Sequence, residues 1–214
     1  MILAVGNSHA NFFTDSLPNT RGYSKHVEFA ISAFCQNGST VAPLAYTFYQ
    51  KWLPIFYEGI ERKSISVNKG DVLIIALGEV DCRVHLSKKY LENEQLSIKD
   101  VVTECVDRLF EAILKIKTDG YTPVAWELAP PNKNLIMSAS QYPIHGYVDL
   151  RNEIVKEWNS YLGQKCKEHN VPLLHIFDRV SELDDNDSYI DEIHLNSKLL
   201  LPYMIEQLKE MDLS

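Results

Sequence analysis

The chain of 214 residues is long enough for one α/β domain with a well-buried core and short for two. Its apolar fraction of 45% and charged fraction of 23% exclude the disordered and fibrous classes. A formal net charge of −8 sets aside nucleic acid and anionic membrane surfaces as main partners, because both repel an acidic protein, and favours a neutral or small substrate.

The chain opens on a strand, ILAVG at 2–6. MILAV runs straight into Gly6, with no basic segment or small-residue cleavage site, so no export signal is expected. Val27, Ile31 and Phe34 recur at helical steps and predict a short helix over 23–36 ended by Gly38, followed by a weak strand STVAPLAY at 39–46. DVLIIALG at 71–78 is apolar throughout its centre and predicts a central strand buried on both faces. Ile98, Val101, Val102, Cys105, Leu109, Ile113 and Ile116 mark the clearest helix, with Ser97 as its cap and Gly120 as its stop. A strand TPVAWELAP at 122–130 precedes a long loop over 130–147, read as a wall or lid of a site. Leu150, Ile154, Trp158, Leu162 and Cys166 then set a second long helix that ends at Asn170. VPLLHIF at 171–177 is the last strand, and a final helix over 197–211 carries Pro202 near its start, where an irregular turn is expected.

Short apolar runs alternating with helical stretches predict one domain, 1–214, with a mostly parallel sheet covered on both faces. No apolar run approaches the roughly 20 residues that a membrane-spanning helix needs. Cys35, Cys82, Cys105 and Cys166 lack CxxC spacing and read as reduced thiols of a cytoplasmic protein.

Ligands of open parallel sheets bind beyond the carboxyl ends of the strands. GNSH (6–9), GEVDCR (78–83) and DEIHLN (191–196) fall there. Asp191 and His194 are three apart, so one turn faces both the same way and lets the carboxylate orient the imidazole. A serine hydroxyl is scarcely ionised at neutral pH and needs such a base, so Ser8, His194 and Asp191 can serve as nucleophile, base and orienter.

On these blocks the chain resembles the SGNH, or GDSL-like, hydrolase superfamily. GNSH is similar to its first block, GEVD to its third block GxND, and DEIH to its fifth block DxxH, in the family's order across nearly the whole chain. GEVDCR also resembles a recurring variant among SGNH-like proteins near polysaccharide metabolism. The resemblance implies a flavodoxin-like three-layer α/β/α sandwich with a mostly parallel five-stranded sheet. It implies a serine esterase that removes an acyl group, acetyl foremost, from a carbohydrate or small-molecule ester through an acyl-enzyme on Ser8, without cofactor or metal. Val80 stands where the family has its oxyanion-binding Asn, and the second-block Gly has no secure counterpart, the nearest being Gly38 and Gly59. The remaining oxyanion and substrate-binding candidates are the Ser8 N–H, Asn7, Arg83 and His85.

Blander readings compete. Ser8 can be a helix cap, Asp81 and Arg83 an ordinary salt bridge, and His9 a packing residue. Cys82 has no firmly placed histidine to activate it and reads as structural. Tyr46, Phe48, Tyr49, Trp52, Phe56 and Tyr57 are either core or a sugar-stacking platform. ELDDNDSYIDE lacks the glycine and closing glutamate of a calcium loop. The alternatives to an esterase are an acyltransferase of polysaccharide modification, a non-catalytic SGNH-like binding or accessory domain, and a metal-dependent hydrolase on His9, Asp81, His85 and His194.

Overall fold

The computed structural model describes residues 1–17, 20–26, 31–35, 44–134 and 144–213. Six strands, β1 (Ile2–Gly6), β2 (Gly22–Lys25), β3 (Ile31–Cys35), β4 (Val72–Ala76), β5 (Thr122–Trp126) and β6 (Leu173–Leu174), lie in the order β2-β3-β1-β4-β5-β6. Five of them are parallel, as expected, and β2 adds an antiparallel edge to β3.

The sheet's two faces are read off by alternation. Leu3, Val5, Leu73 and Ile75 point into one core, with residues of α1 (Leu44–Thr47), α2 (Leu53–Glu61), α4 (Ile98–Thr118) and α5 (Val148–His169). Ile2, Ala4, Val72 and Ile74 point into the other, against a 3-10 segment (Ser8–Thr14), α6 (Phe177–Ser181) and α8 (Ser197–Glu210). The result is the three-layer α/β/α sandwich. Short helices α3 (Ser87–Leu91) and α7 (Asp185–Ser188) lie in the connections. Among the described residues no helix is long and apolar enough to cross a membrane.

The two long helices follow their sequence signals. Ser97 and Asp100 close a reciprocal capping box at the start of α4, and Asn170 ends α5 in the left-handed conformation, φ 51°. Pro202 lies inside α8 rather than breaking its first turn.

Over 23–25 and 31–35 the expected helix is instead the antiparallel pair β2 and β3, and 27–30, Val27 among them, and 36 lie outside the described residues. Ile31 and Ala33 enter one core while Phe34 packs on the other, a period of two that parallel pairing with β1 imposes. The strand expected over 39–46 is helical from Leu44, and 39–43 lie outside the described residues, as do 135–143 of the long loop. Phe48, Trp52 and Phe56 are core side chains, which accounts for much of the aromatic cluster; Tyr57 donates to Asp119.

Two glycines allow the strands to meet at the site. At Gly6 a Cβ would lie 2.1 Å from the Ala76 carbonyl oxygen, so β1 and β4 tolerate no side chain there. Gly78 turns the chain out of β4 with φ +118°, and a Cβ would stand 2.6 Å from the Trp158 ring. Beyond it Asp81 opens a π-helical stretch (Asp81–Leu86) and is fully buried. Its Oδ2 accepts the Ala45 N–H at 2.9 Å and its Oδ1 the Cys105 thiol at 3.8 Å, so it ties α1 and α4 to the end of β4. Burial pushes its carboxyl up to about 7, against the opposing pull of the Ala45 N–H.

Gly78→Ala is expected to cost about 2–4 kcal/mol of stability by urea denaturation, from strain and the Trp158 clash together. Asp81 favours its protonated form when folded, so its contribution is full below the unfolded value of 3.8 and is lost as pH rises through about 7. Asp81→Asn is therefore expected to gain stability relative to wild type across that interval, measured as the difference between the two denaturation curves against pH.

Candidate active site

Three short segments converge beyond the carboxyl ends of β1, β4 and β5. Leaving β1, Asn7 caps the 3-10 segment: its Oδ1 accepts the His9 N–H at 3.0 Å and its carbonyl the Ala10 N–H at 3.0 Å. Ser8 is the first residue of that segment, so its own N–H has no acceptor within it.

The loop that brings the imidazole is held at both ends. Tyr189 and Leu195 form an antiparallel bridge, the Ile190 N–H donates to the His194 carbonyl at 2.9 Å, and the Asn196 N–H to the Ser188 carbonyl at 2.8 Å. Ser197 donates to Asp15 at 2.5 Å, which fastens the start of α8 to the end of the Ser8 segment.

Within that loop, Asp191 accepts the backbone N–H groups of Ile193 and His194, each at 2.8 Å. Its Oδ2 lies 2.8 Å from His194 Nδ1, and His194 Nε2 lies 2.8 Å from Ser8 Oγ. Burial would raise the Asp191 carboxyl, but the hydrogen bonds from His194 and the two amides outweigh it and hold it down to about 2. With Asp191 ionised, Nδ1–H donates to it and Nε2 is left to accept the serine proton. Such an arrangement can deprotonate the hydroxyl as it attacks a carbonyl.

His9 stands behind the pair, its ring centroid 4.9 Å from that of His194. It is buried, which lowers its pKa and keeps it neutral, and its Nε2–H donates to Glu79 Oε2 at 3.1 Å. Glu79 also accepts from Arg83, Nε to Oε1 at 2.5 Å and Nη2 to Oε2 at 3.3 Å. Burial opposes ionisation of Glu79, yet the Arg83 guanidinium and His9 hold its carboxyl well below the usual range.

These bonds correct several expectations. Arg83 pairs with Glu79, not Asp81, and buried at 5% exposure it is a partner of that carboxylate rather than a free oxyanion donor. His85 lines neither cavity of the site and faces Lys88, His145 and Arg83. Asn7 uses its side-chain oxygen on the cap, and its Nδ2 is a buried donor with no acceptor among the described residues. Asp81 turns to Ala45, so it does not join His9, His85 and His194 in a metal set. Among the described residues no cluster of three or more His, Cys, Asp or Glu side chains could hold a metal. Burial pushes the Cys82 thiol well above its ordinary value, away from nucleophilic use. Val80 is buried in the core and offers no side-chain donor, Gly59 in α2 packs on Ile65, and Gly38 lies outside the described residues.

Two cavities share the walls His9, Trp126 and Leu195. One holds Ser8 and His194; the other, about 670 Å³ with its open mouth, is lined by Glu79, Arg83 and Arg151 among mainly apolar side chains. Sequence reasoning did not single out Glu79, Trp126 or Arg151. Glu79 and Arg83 have the four-residue spacing of a helical ion pair, and Arg151 sits in phase with Ile154, Val155 and Trp158 on the buried face of α5, so signals for both were present.

Comparison with known proteins gives the family and the fold. A family profile described as GDSL-like lipase/acylhydrolase matches residues 4–199. An acetyl xylan esterase from Geobacillus stearothermophilus has a similar structure, with a TM-score of 0.58 and 13% identity over 100% of this chain and 94% of that one. A GDSL-like lipase from Bacteroides thetaiotaomicron gives 0.55 and 11% over 99% and 88%. A member of the lipolytic G-D-S-L family from Veillonella parvula gives 0.51 and 15% over 98% and 96%. No curated protein matches by sequence. At these identities the structural likeness speaks to fold alone; with the profile matching residues 4–199 of its 214, the chain belongs to the GDSL-like lipase/acylhydrolase family.

Proposed function

We propose that this protein is a serine esterase that removes a short acyl group, acetyl foremost, from a carbohydrate or small-molecule ester. The observation that carries the reading is the continuous hydrogen-bonded line from Ser8 Oγ through His194 to Asp191, each link 2.8 Å. Ser8 Oγ attacks the ester carbonyl while its proton passes to His194 Nε2. The tetrahedral oxyanion takes the Ser8 N–H. Collapse breaks the ester C–O bond, and the alcohol leaves with the proton from Nε2. Water then repeats the sequence on the acyl-enzyme, giving the carboxylic acid and free Ser8.

Asp191 remains a carboxylate throughout, orients Nδ1–H and stabilises the imidazolium formed at each proton transfer. An acetyl xylan esterase shares the fold, which is the reason to screen acetylated sugars first. A sugar hydroxyl in place of the second-step water would make the same steps an acyl transfer, and product analysis with an added acceptor separates the two.

A fluorophosphonate is expected to label Ser8 in the wild-type protein, as read by peptide mass mapping, and to leave His194→Ala unlabelled. Absence of label on folded wild-type protein would turn the reading to a binding domain. With an ester substrate found, Asp191→Asn is expected to lower kcat by roughly 10³–10⁴ with KM little changed, because the lost carboxylate acts on the imidazole and not on bound substrate.

A further inference from the structure

The cavity next to Ser8 contains a buried charge with no hydrogen-bond acceptor among the described residues. Arg151 enters it from α5, is 5% exposed, and has buried Nε and Nη1 atoms with no acceptor among the described residues. A guanidinium has five donors and no way to shed its charge, so burial without an acceptor is costly.

The carboxylates around it are engaged elsewhere or exposed. Glu79 is bound by Arg83 and His9. Glu127 accepts the N–H groups of Ile176 and Phe177 on one oxygen, at 2.9 and 3.0 Å, and its other oxygen is 3.7 Å from His175. Glu192 is exposed at the mouth. Burial and then the like charge of Arg83 disfavour the Arg151 cation, and the attraction of Glu79, which makes no hydrogen bond to it, only partly offsets them. The indole N–H of Trp126, on the wall shared with the Ser8 cavity, is a second buried donor with no acceptor among the described residues. Two donors without acceptors among the described residues, in a mainly apolar lining whose carboxylates are engaged or exposed, call for a ligand rich in acceptors.

We propose that this cavity is the subsite for a carboxylate carried by the ester substrate, gripped by Arg151 while the ester carbonyl meets Ser8. The inference rests on the esterase reading above for the word substrate, but not for the binding of the carboxylate. A planar carboxylate matches the guanidinium fork, and a single negative charge suits a cavity whose walls already hold Glu79, Glu127 and Glu192 better than a phosphate dianion does.

Monomethyl and dimethyl glutarate, which differ by one methyl group and one charge, test it. In calorimetric titration of Ser8→Ala, which turns over neither, the monomethyl ester is expected to bind at least about tenfold more tightly, the value of a charge-assisted hydrogen bond. Adding Arg151→Met is expected to bring the ratio of the two affinities to about one, and Arg151→Lys to recover part of it, whereas a merely structural arginine would shift both affinities together. Equal affinities in Ser8→Ala, or a preference that survives Arg151→Met, overturn the proposal. Inorganic phosphate displacing the monomethyl ester better than acetate does overturns the choice of carboxylate. Wild-type protein that binds the monomethyl ester selectively but cleaves neither keeps the subsite and removes the esterase reading; cleavage of both with equal kcat/KM does the reverse.

Discussion

Close approach of β1 and β4 at their carboxyl ends is the constraint on which the site depends. Gly6 pairs in register with Ala76, and the space for a side chain there is already filled by the Ala76 carbonyl. Each strand then turns at once, β1 into the segment that starts with Ser8 and β4 through Gly78 into Glu79. β3 lies on one side of β1 and β4 on the other, so the chain reverses its direction of winding here, where open α/β sheets leave a crevice. Burial of both sheet faces fixes the strands, and the strands fix the two turns.

On that floor the protein assembles two electrostatic units that touch at His9. One is the line Ser8–His194–Asp191, in which backbone amides keep the carboxylate ionised. The other is the cluster of His9, Glu79 and Arg83, with Arg151 beyond it. Burial keeps His9 neutral, so the imidazole packed against His194 brings no positive charge to oppose the one that forms on His194 during proton transfer. Glu79, held ionised by Arg83, fixes the His9 ring by accepting its Nε2–H.

Much of this was legible in the sequence because its signals are local. The apolar period of α4 and its Ser97 cap, the uninterrupted VLIIA of β4, and the three-residue spacing of Asp191 and His194 each report on neighbours within a turn or a strand. The β2–β3 pair was not legible: Ile31 and Phe34 satisfy helical spacing as well as strand alternation, and the tie is broken by pairing with β1, some thirty positions away. Arg151 was hidden for a different reason. It lies on the buried face of a helix whose apolar neighbours were read as core, and only the neighbouring cavity gives meaning to a guanidinium with no acceptor among the described residues. The partner of Arg83 was misread between two acids, Glu79 and Asp81, because only burial decides that Asp81 turns inward to Ala45.

The hydrogen bond between Ser8 and His194 joins residues 186 positions apart, and Ser197 to Asp15 fastens the same two regions. While the polypeptide is being synthesised, the serine therefore waits without its base until the segment that carries His194 has emerged and docked. Chemical competence and the docking of these two regions arrive together, so a nascent chain, or one cut between them, carries an inert hydroxyl rather than a loose nucleophile.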